Sequence, residues 1–137
     1  MISRIPFNEV QKGLYQLLHK GQSVPVYDAI PTGGEDMPYI WLGEFHGTPA
    51  EQNKTMVLHH VTQQLHIWSN QKGKHEVNSI MDDVVTLLTK YQLSMDSFRQ
   101  VGTVTISLYQ TSGELYEDGT TAYHGVLEAE YLVEQLN

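Results

Sequence analysis

The 137-residue chain contains no cysteine, which excludes disulfides, cysteine-containing zinc sites and thiol nucleophiles. Its apolar runs all fall far below the roughly 18 consecutive residues that a membrane-spanning helix requires, so no contact with a membrane is expected. The first residues show no apolar stretch followed by a small-residue cleavage site, and no secretion signal is predicted. The sequence therefore predicts a protein that folds by packing alone and stays in the compartment where it is made.

Positive charge is scarce as well, and it is unevenly distributed. All eight Lys and Arg residues lie at or before Arg99, and the formal net charge is -8. Proteins that bind nucleic acid through its phosphates gather Lys and Arg on one face, so tight binding of this kind is not expected. The chain beyond Arg99 carries its formal charges at Glu114, Glu117, Asp118, Glu128, Glu130 and Glu134, all of them acidic.

Length and composition favour one domain covering residues 1–137, since the chain is large enough to bury a core but too short for two. Two stretches, residues 6–20 and 77–91, repeat apolar residues at three- and four-residue spacings, which is typical of amphipathic helices. Between them lies a stretch, residues 61–68, whose alternate side chains fall on two faces. Val61, Gln63, Leu65 and Ile67 share one face and Thr62, Gln64, His66 and Trp68 the other, which predicts a strand with one buried face.

The remaining segments complete an α+β pattern. The order helix, strands, helix, strands predicts a mostly antiparallel β-sheet with two main α-helices packed on it. Stretches rich in polar residues, glycine and proline at 30–38, 47–55 and 112–120 are expected to be connections. Strands are expected at residues 24–27, 39–45, 57–69, 98–111 and 121–133.

Seven histidines raise the question of a metal site, and their spacing argues against one. On a strand, His59 and His60 point to opposite faces. His60 and His66 share a face but lie about 20 Å apart, at roughly 3.3 Å per residue. Because zinc requires ligands at about 2.1 Å from a common point, no metal site is predicted.

Candidate catalytic groups lack a supporting pattern. Glu128 and Glu130 lie two residues apart on one face of a predicted strand and could approach the roughly 5 to 9 Å separation of a glycosidase pair. Alternating Glu is, however, more typical of a solvent-facing strand. Asp82 and Asp83 fit the polar side of the second helix, and no G-x-S-x-G motif marks a nucleophilic serine. No catalytic residue and no cofactor is therefore predicted.

Four segments of the chain share a pattern with a known protein family. They are the N-terminal helix, the P-Y-I-W-L-G stretch at 38–43, the Q-L-H-I-W-S stretch at 64–69 that runs into the second helix, and the E-D-G-T-T-A-Y-H-G-V-L-E-A-E-Y-L-V stretch at 117–133. In these features the chain resembles the tail completion proteins of long-tailed bacteriophages. More narrowly, it is similar to the tail-to-head joining proteins of siphophages that infect Gram-positive hosts.

The resemblance implies a structural virion protein without catalytic residues. Such proteins are small α+β domains that sit as a ring, usually of six, on the head-proximal end of the tail tube and dock the tail onto the head connector. The implied partners are other copies of the chain, the tail tube protein and the head connector protein, with DNA only as cargo in the channel. The implied location is the head–tail interface of the virion, after assembly in the host cytoplasm.

The candidate assembly contacts are aromatic, apolar and acidic side chains on the predicted strands and connections. The two tryptophans are core residues by default, and an outward-facing one would be a good interface anchor. The candidates are Trp41, Phe45, His46, Met56, Leu58, His66, Trp68, Glu114, Glu117, Asp118, Glu128 and Glu130.

Two other interpretations stay open at the level of sequence. One is a small cytoplasmic enzyme or ligand-binding protein that uses the histidines and the paired acids. The other is a monomeric regulator that binds a basic partner through the acidic final third of the chain. Neighbouring genes for a tail tube protein and a head connector protein would favour the structural role over both.

Overall fold

Two helices and five strands make up the computed structural model, which describes residues 4–29, 31, 36–50 and 56–136. The predicted helices and strands are confirmed, with shifts at their ends. The helices are α1 (Phe7–Gly21) and α2 (His75–Lys90). The strands are β1 (Val26–Tyr27), β2 (Tyr39–Pro49), β3 (Val57–Ser69), β4 (Phe98–Leu115) and β5 (Thr121–Gln135).

The strands form one sheet in the order β1-β2-β3-β5-β4. β1 runs parallel to β2, and the other neighbouring pairs are antiparallel. The predicted α+β fold with a mostly antiparallel sheet is therefore confirmed. Within the described part of the chain, no helix is both long enough and apolar enough to cross a membrane.

Both helices pack on one face of this sheet. Alternate residues of β3, among them Val61 and Leu65, are fully buried together with Leu14 of α1 and Val84 of α2. This core forms because the apolar stripe of each helix and the apolar side of each strand leave water together. We call the covered side of the sheet the helix face and the opposite side the open face.

The ranges predicted for two connections, 47–55 and 112–120, were too long, because two strands extend into them. β2 continues to Pro49 and β4 continues to Leu115. Antiparallel pairing satisfies backbone N–H and C=O groups whatever the polarity of the side chains. The strands therefore continue beyond the residues that show the alternating apolar pattern. Of the predicted connections, residues 30, 32–35 and 51–55 lie outside the described residues.

Two strands shift their register where extra residues are inserted. In β4 the register moves by two residues between Val101 and Thr105, a stretch that contains Gly102, and by one more between Ile106 and Leu108. The φ of Gly102, +72°, is a conformation that glycine adopts without strain. In β2 the shift lies between Leu42 and Phe45. A single inserted residue reverses which face later side chains occupy, and this decides which residues of β2 reach the open face.

Candidate functional site

The open face carries a row of aromatic side chains. Trp41 on β2 lies opposite His66 on β3, and Trp68 on β3 lies opposite His124 on β5. On β3 these residues alternate with the buried ones, so their side chains leave the sheet on the side away from the helices. All four are half-buried. We refer to Trp41, His66, Trp68 and His124 as the aromatic row.

Ring contacts hold the aromatic row together. The indole of Trp68 lies flat on the imidazole of His124, with ring centroids 4.0 Å apart and 5° between the planes. Trp41 packs on His66 at 4.8 Å and 25°. Between the two imidazoles, Nδ1 of His66 lies 2.8 Å from Nε2 of His124, which is a hydrogen-bond distance. The row therefore links β2, β3 and β5 through side chains as well as through the backbone.

A glycine in β2 makes room for this row. A Cβ atom on Gly43 would lie 2.7 Å from Cδ2 and 2.9 Å from Nε2 of His66. Such contacts are too short for a packed structure, so a side chain at this position would displace the imidazole. The glycine that ends the Y-I-W-L-G stretch is thus a requirement of the His66 position.

Two carboxylates stand at the ends of a polar chain that runs through the row. Nε2 of Gln64 donates to Oε1 of Glu128 at 3.4 Å, and Oε1 of Gln64 lies 3.0 Å from Nε2 of His66. At the other end, Oε1 of Glu114 lies 3.8 Å from Nδ1 of His124. The row is therefore an uncharged aromatic surface flanked by acids from β4 and β5.

The electrostatics of the row keep both imidazoles neutral at pH 7. Burial lowers the pKa of His66 and of His124 below the ordinary value of 6.5. For His66, the nearby His124 lowers the pKa further while Glu44 raises it. For His124, Glu114 acts against burial and raises the pKa, but burial is the larger effect.

The structure brings five of the predicted contact residues into one place. Trp41, His66 and Trp68 belong to the aromatic row, and Glu114 and Glu128 flank it. These residues come from three predicted strands and from one stretch that was expected to be a connection. Strand pairing, and not proximity in the sequence, assembles them.

Phe45 does not join this group, because the bulge in β2 turns its side chain to the helix face. Phe45 lies opposite the fully buried Gln63 and stacks on Phe7 of α1, with ring centroids 5.0 Å apart. It therefore packs against the core, although it is an even number of residues from Trp41 and a regular strand would place both on one side.

The remaining candidates lie farther from the row. His46 and Glu130 both lie opposite Thr62, and Glu130 is exposed on the open face. Leu58 lies opposite Glu134 at the far end of the sheet. Met56 is half-buried just before β3, and Glu117 and Asp118 are exposed in the turn between β4 and β5.

His124 and Gln64 are members of the site that the sequence alone did not reveal. Alternation along β5 places His124 on the same face as Glu128, so the face could have been predicted. Its position beside His66 depends on the register of β5 against β3, which the sequence does not show.

The histidines do not converge on a metal site. His59 is buried beside Phe98, with ring centroids 5.8 Å apart, whereas His60 is exposed on the opposite side of β3. Across the described ranges of the chain, no group of three or more His, Asp or Glu side chains could hold a metal ion.

A second concave surface lies on the helix face, between α2 and β4. This groove has a volume of about 560 Å³ and is lined by Met81, Val85, Ile106 and Tyr109 among others. Tyr109 is 74% exposed, which is high for so large a side chain. The groove therefore presents apolar surface along the edge strand β4.

Residues 14–134 match the family model described as "Tail completion protein gp17". A chain in the structure "Virion of native gene transfer agent (GTA) particle" is similar in fold, with a TM-score of 0.78, 21% sequence identity, and coverage of 96% of this chain and 99% of that chain. No curated protein matches this chain in sequence. Because the family model matches most of its length, this protein belongs to the family of phage tail completion proteins.

Proposed function

We propose that this protein completes the head-proximal end of a phage tail and joins the tail to the head connector. The observation that carries the proposal is the match of residues 14–134 to the tail completion family. The similar fold of a chain in the virion of a gene transfer agent supports a place in a virion. In this proposal the protein assembles in the host cytoplasm, acts at the head–tail interface and catalyses no reaction.

The proposed assembly is a ring of copies around the DNA channel. Closing a head-to-tail ring requires two different patches on each subunit. The sheet supplies two unlike edges, because β1 has two residues and β4 has 18. The groove beside β4 and the exposed Tyr109 add apolar surface to one of them. The proposed subunit contact therefore joins the β4 edge of one copy to the β1 and β2 edge of the next.

The aromatic row is the proposed docking surface for a neighbouring virion protein, either the tail tube protein or the head connector protein. Tryptophan is enriched among the residues that dominate binding energy in interfaces. Trp41 and Trp68 are half-buried and held by ring contacts, so little side-chain entropy remains to be lost on docking. The flanking Glu114 and Glu128 favour a partner surface that carries positive charge.

DNA is proposed to pass through the ring without being held. Lys and Arg neutralise phosphates and produce tight, salt-dependent binding, and the net charge of this chain is -8. On the open face, Nε of Arg99 donates to Oε1 of Glu134 at 2.6 Å, so this cation is already paired. An acidic ring of this kind would repel the passing phosphates.

Deletion of the gene tests this function. Negative-stain microscopy of the lysate should then show DNA-filled heads and finished tails that are not joined, and a plasmid-borne copy should restore complete particles. Joined particles in the absence of the protein would overturn the proposal.

The docking role of the aromatic row is tested in the same complementation assay. The double variant Trp41→Ala/Trp68→Ala should fold but restore few particles. Tyr15→Ala provides a matched control, since Tyr15 is a 37% exposed aromatic residue on α1. A photo-crosslinking amino acid at position 41 should capture a tail tube or connector protein in the particle, while the same amino acid at the exposed position 8 should not. Equal rescue by the double variant and the control would rule out docking through the row.

A further inference from the structure

On the open face, a series of hydrogen bonds links Glu128, Gln64, His66 and His124. The donor and the acceptor of each bond can be assigned in turn, starting from Glu128. A carboxylate accepts hydrogen bonds but does not donate at neutral pH. Gln64 must therefore present its NH₂ group to Glu128, as the 3.4 Å contact from Nε2 shows. The carbonyl Oε1 of Gln64 is then left facing Nε2 of His66 at 3.0 Å.

This orientation determines which nitrogen of each imidazole carries a proton. Because Oε1 of Gln64 is an acceptor, His66 must donate through its Nε2–H, and Nδ1 of His66 is then a bare acceptor. Nδ1 of His66 lies 2.8 Å from Nε2 of His124, so His124 must donate through its own Nε2–H. Both neutral histidines are therefore Nε2–H tautomers.

At the His124 end of this series of hydrogen bonds, two acceptors face each other. With its proton on Nε2, neutral His124 presents a bare Nδ1 to Oε1 of Glu114, 3.8 Å away. A carboxylate opposite an imidazole lone pair is an unsatisfied arrangement. A proton added at Nδ1 would convert it into an attraction between opposite charges, and the other hydrogen bonds of the series would keep their donors and acceptors.

We propose that His66 and His124 form one proton-binding site, which takes up a single proton at Nδ1 of His124 and neutralises it with Glu114. Protonated His124 donates from Nε2 to His66, and its charged Nδ1–H faces the carboxylate of Glu114 at 3.8 Å as an ion pair. His66 takes no second proton, because its Nε2 already carries one and its Nδ1 accepts the bond from His124. Two adjacent imidazolium ions would also repel each other.

The groups around the pair determine how readily this proton binds. Glu44 of β2 acts on His66, and Glu114 of β4 faces His124. Glu128 of β5 reaches His66 only through Gln64. The indoles of Trp41 and Trp68 stack on the two imidazoles and leave them half-buried. His124 therefore takes up its proton at a pH below the ordinary histidine range. The resulting charge would then attract Glu114, at the end of β4, to the aromatic row.

The uncharged starting state can be checked directly by long-range ¹H–¹⁵N NMR on the wild-type protein, with a chelator present to remove stray metal ions. At pH 7.5 both His66 and His124 should show the Nε2–H tautomer. As the pH falls, His124 should take up one proton while His66 stays neutral until the protein unfolds. An Nδ1–H tautomer at His124, or the two rings gaining protons together, would overturn the proposal.

The role of Glu114 is tested by substitution. Glu114→Gln removes the charge that stabilises the imidazolium, so the midpoint of the His124 titration should fall by roughly half a pH unit or more. The control His60→Gln, at an exposed histidine on the same face of β3, should leave the midpoint unchanged. An unchanged midpoint in Glu114→Gln would contradict the assigned site of protonation.

Tryptophan fluorescence gives a second readout, because the two tryptophans of the chain are both in the row. A cation that forms against the face of Trp68 should change its emission over the same pH range. Trp68→Phe should abolish most of this change and Trp41→Phe should preserve it. The reverse result would place the proton on His66 and refute the assignment to His124.

Discussion

The side-chain amide of Gln63 donates from Nε2 to the backbone oxygen of Gly43 at 3.1 Å, at the point where β2 slips against β3. Gln63 is fully buried, and the same Nε2 lies 3.2 Å from the oxygen of Glu44. The shortest contact of Nε2, at 2.6 Å, is to the backbone oxygen of Gln64, so the two amide protons are shared among three carbonyl groups at the bulge. Because the bulge lies between Leu42 and Phe45, this buried amide supports both the aromatic row that begins at Trp41 and the inward position of Phe45.

Replacement of Gln63 by leucine should destabilise the protein. Leucine has a similar size but no donor, so the bulge carbonyls would lose this donor, at a cost of about 0.5–1.5 kcal/mol for each lost hydrogen bond. Urea denaturation followed by circular dichroism measures the loss. Gln71→Leu is the matched control, since Gln71 is exposed and should change the free energy of unfolding little. A Gln63→Leu protein as stable as this control would show that the amide does not hold the bulge.

Gly13 should not tolerate alanine, although alanine favours helices by about 1 kcal/mol. A Cβ atom at this position in α1 would lie 3.2 Å from Cβ of Leu93 and 3.3 Å from the backbone oxygen of Ser94. Neither atom can move without shifting the segment that leads into β4, so the melting temperature should fall. Gln16→Ala, at an exposed position of the same helix, should leave it unchanged or raise it slightly. A more stable Gly13→Ala protein would mean that the helix and this segment are not in close contact.

Stability should decrease as the pH falls below about 6.5, the ordinary histidine value. Since the folded-state pKa values of His66 and His124 are lowered, chiefly by burial, the unfolded chain binds these protons first. The free energy of unfolding therefore rises with pH through this range, and the stabilisation is fully present above it. Melting temperatures at pH 7.5 and 5.5 should differ less in a His66→Gln/His124→Gln protein than in the wild type. An equal difference in both proteins would assign the effect to other groups.

Two glutamates on the open face should respond differently to charge reversal. Glu130 is exposed, and Glu130→Lys should change the free energy of unfolding by less than about 0.5 kcal/mol. The side chain of Glu134 is only 14% exposed and accepts a hydrogen bond from Arg99. Glu134→Lys would place two cations together, so it should destabilise the protein more than Glu130→Lys does. Equal melting curves for the two variants would contradict this contact.

Much of the fold could be predicted from periodicity, because burial imposes it on the sequence. The helix spacing before Gly21 and after His75, and the strict alternation along β3, correctly assign these elements and the buried side of the strand. The ends of β2 and β4 were predicted too short, since strand pairing there depends on backbone hydrogen bonds and leaves no apolar pattern.

The site could be predicted only in part, for two physical reasons. The bulge at Gly43 reverses the faces of β2, so Phe45 points to the helices although its spacing from Trp41 suggests otherwise. His124 lies beside His66 only through the register of β3 and β5, a contact between residues far apart in the chain. Pairing and register, unlike local periodicity, are properties of the folded sheet.

Cryo-electron microscopy of the assembled particle tests the proposed role in joining tail to head. We expect a ring of copies of this chain between the tail tube and the head connector, with Trp41 and Trp68 in contact with one of these proteins and acidic side chains lining the channel. Density for the chain elsewhere in the particle, or particles that are complete without it, would contradict the proposed role in joining tail to head.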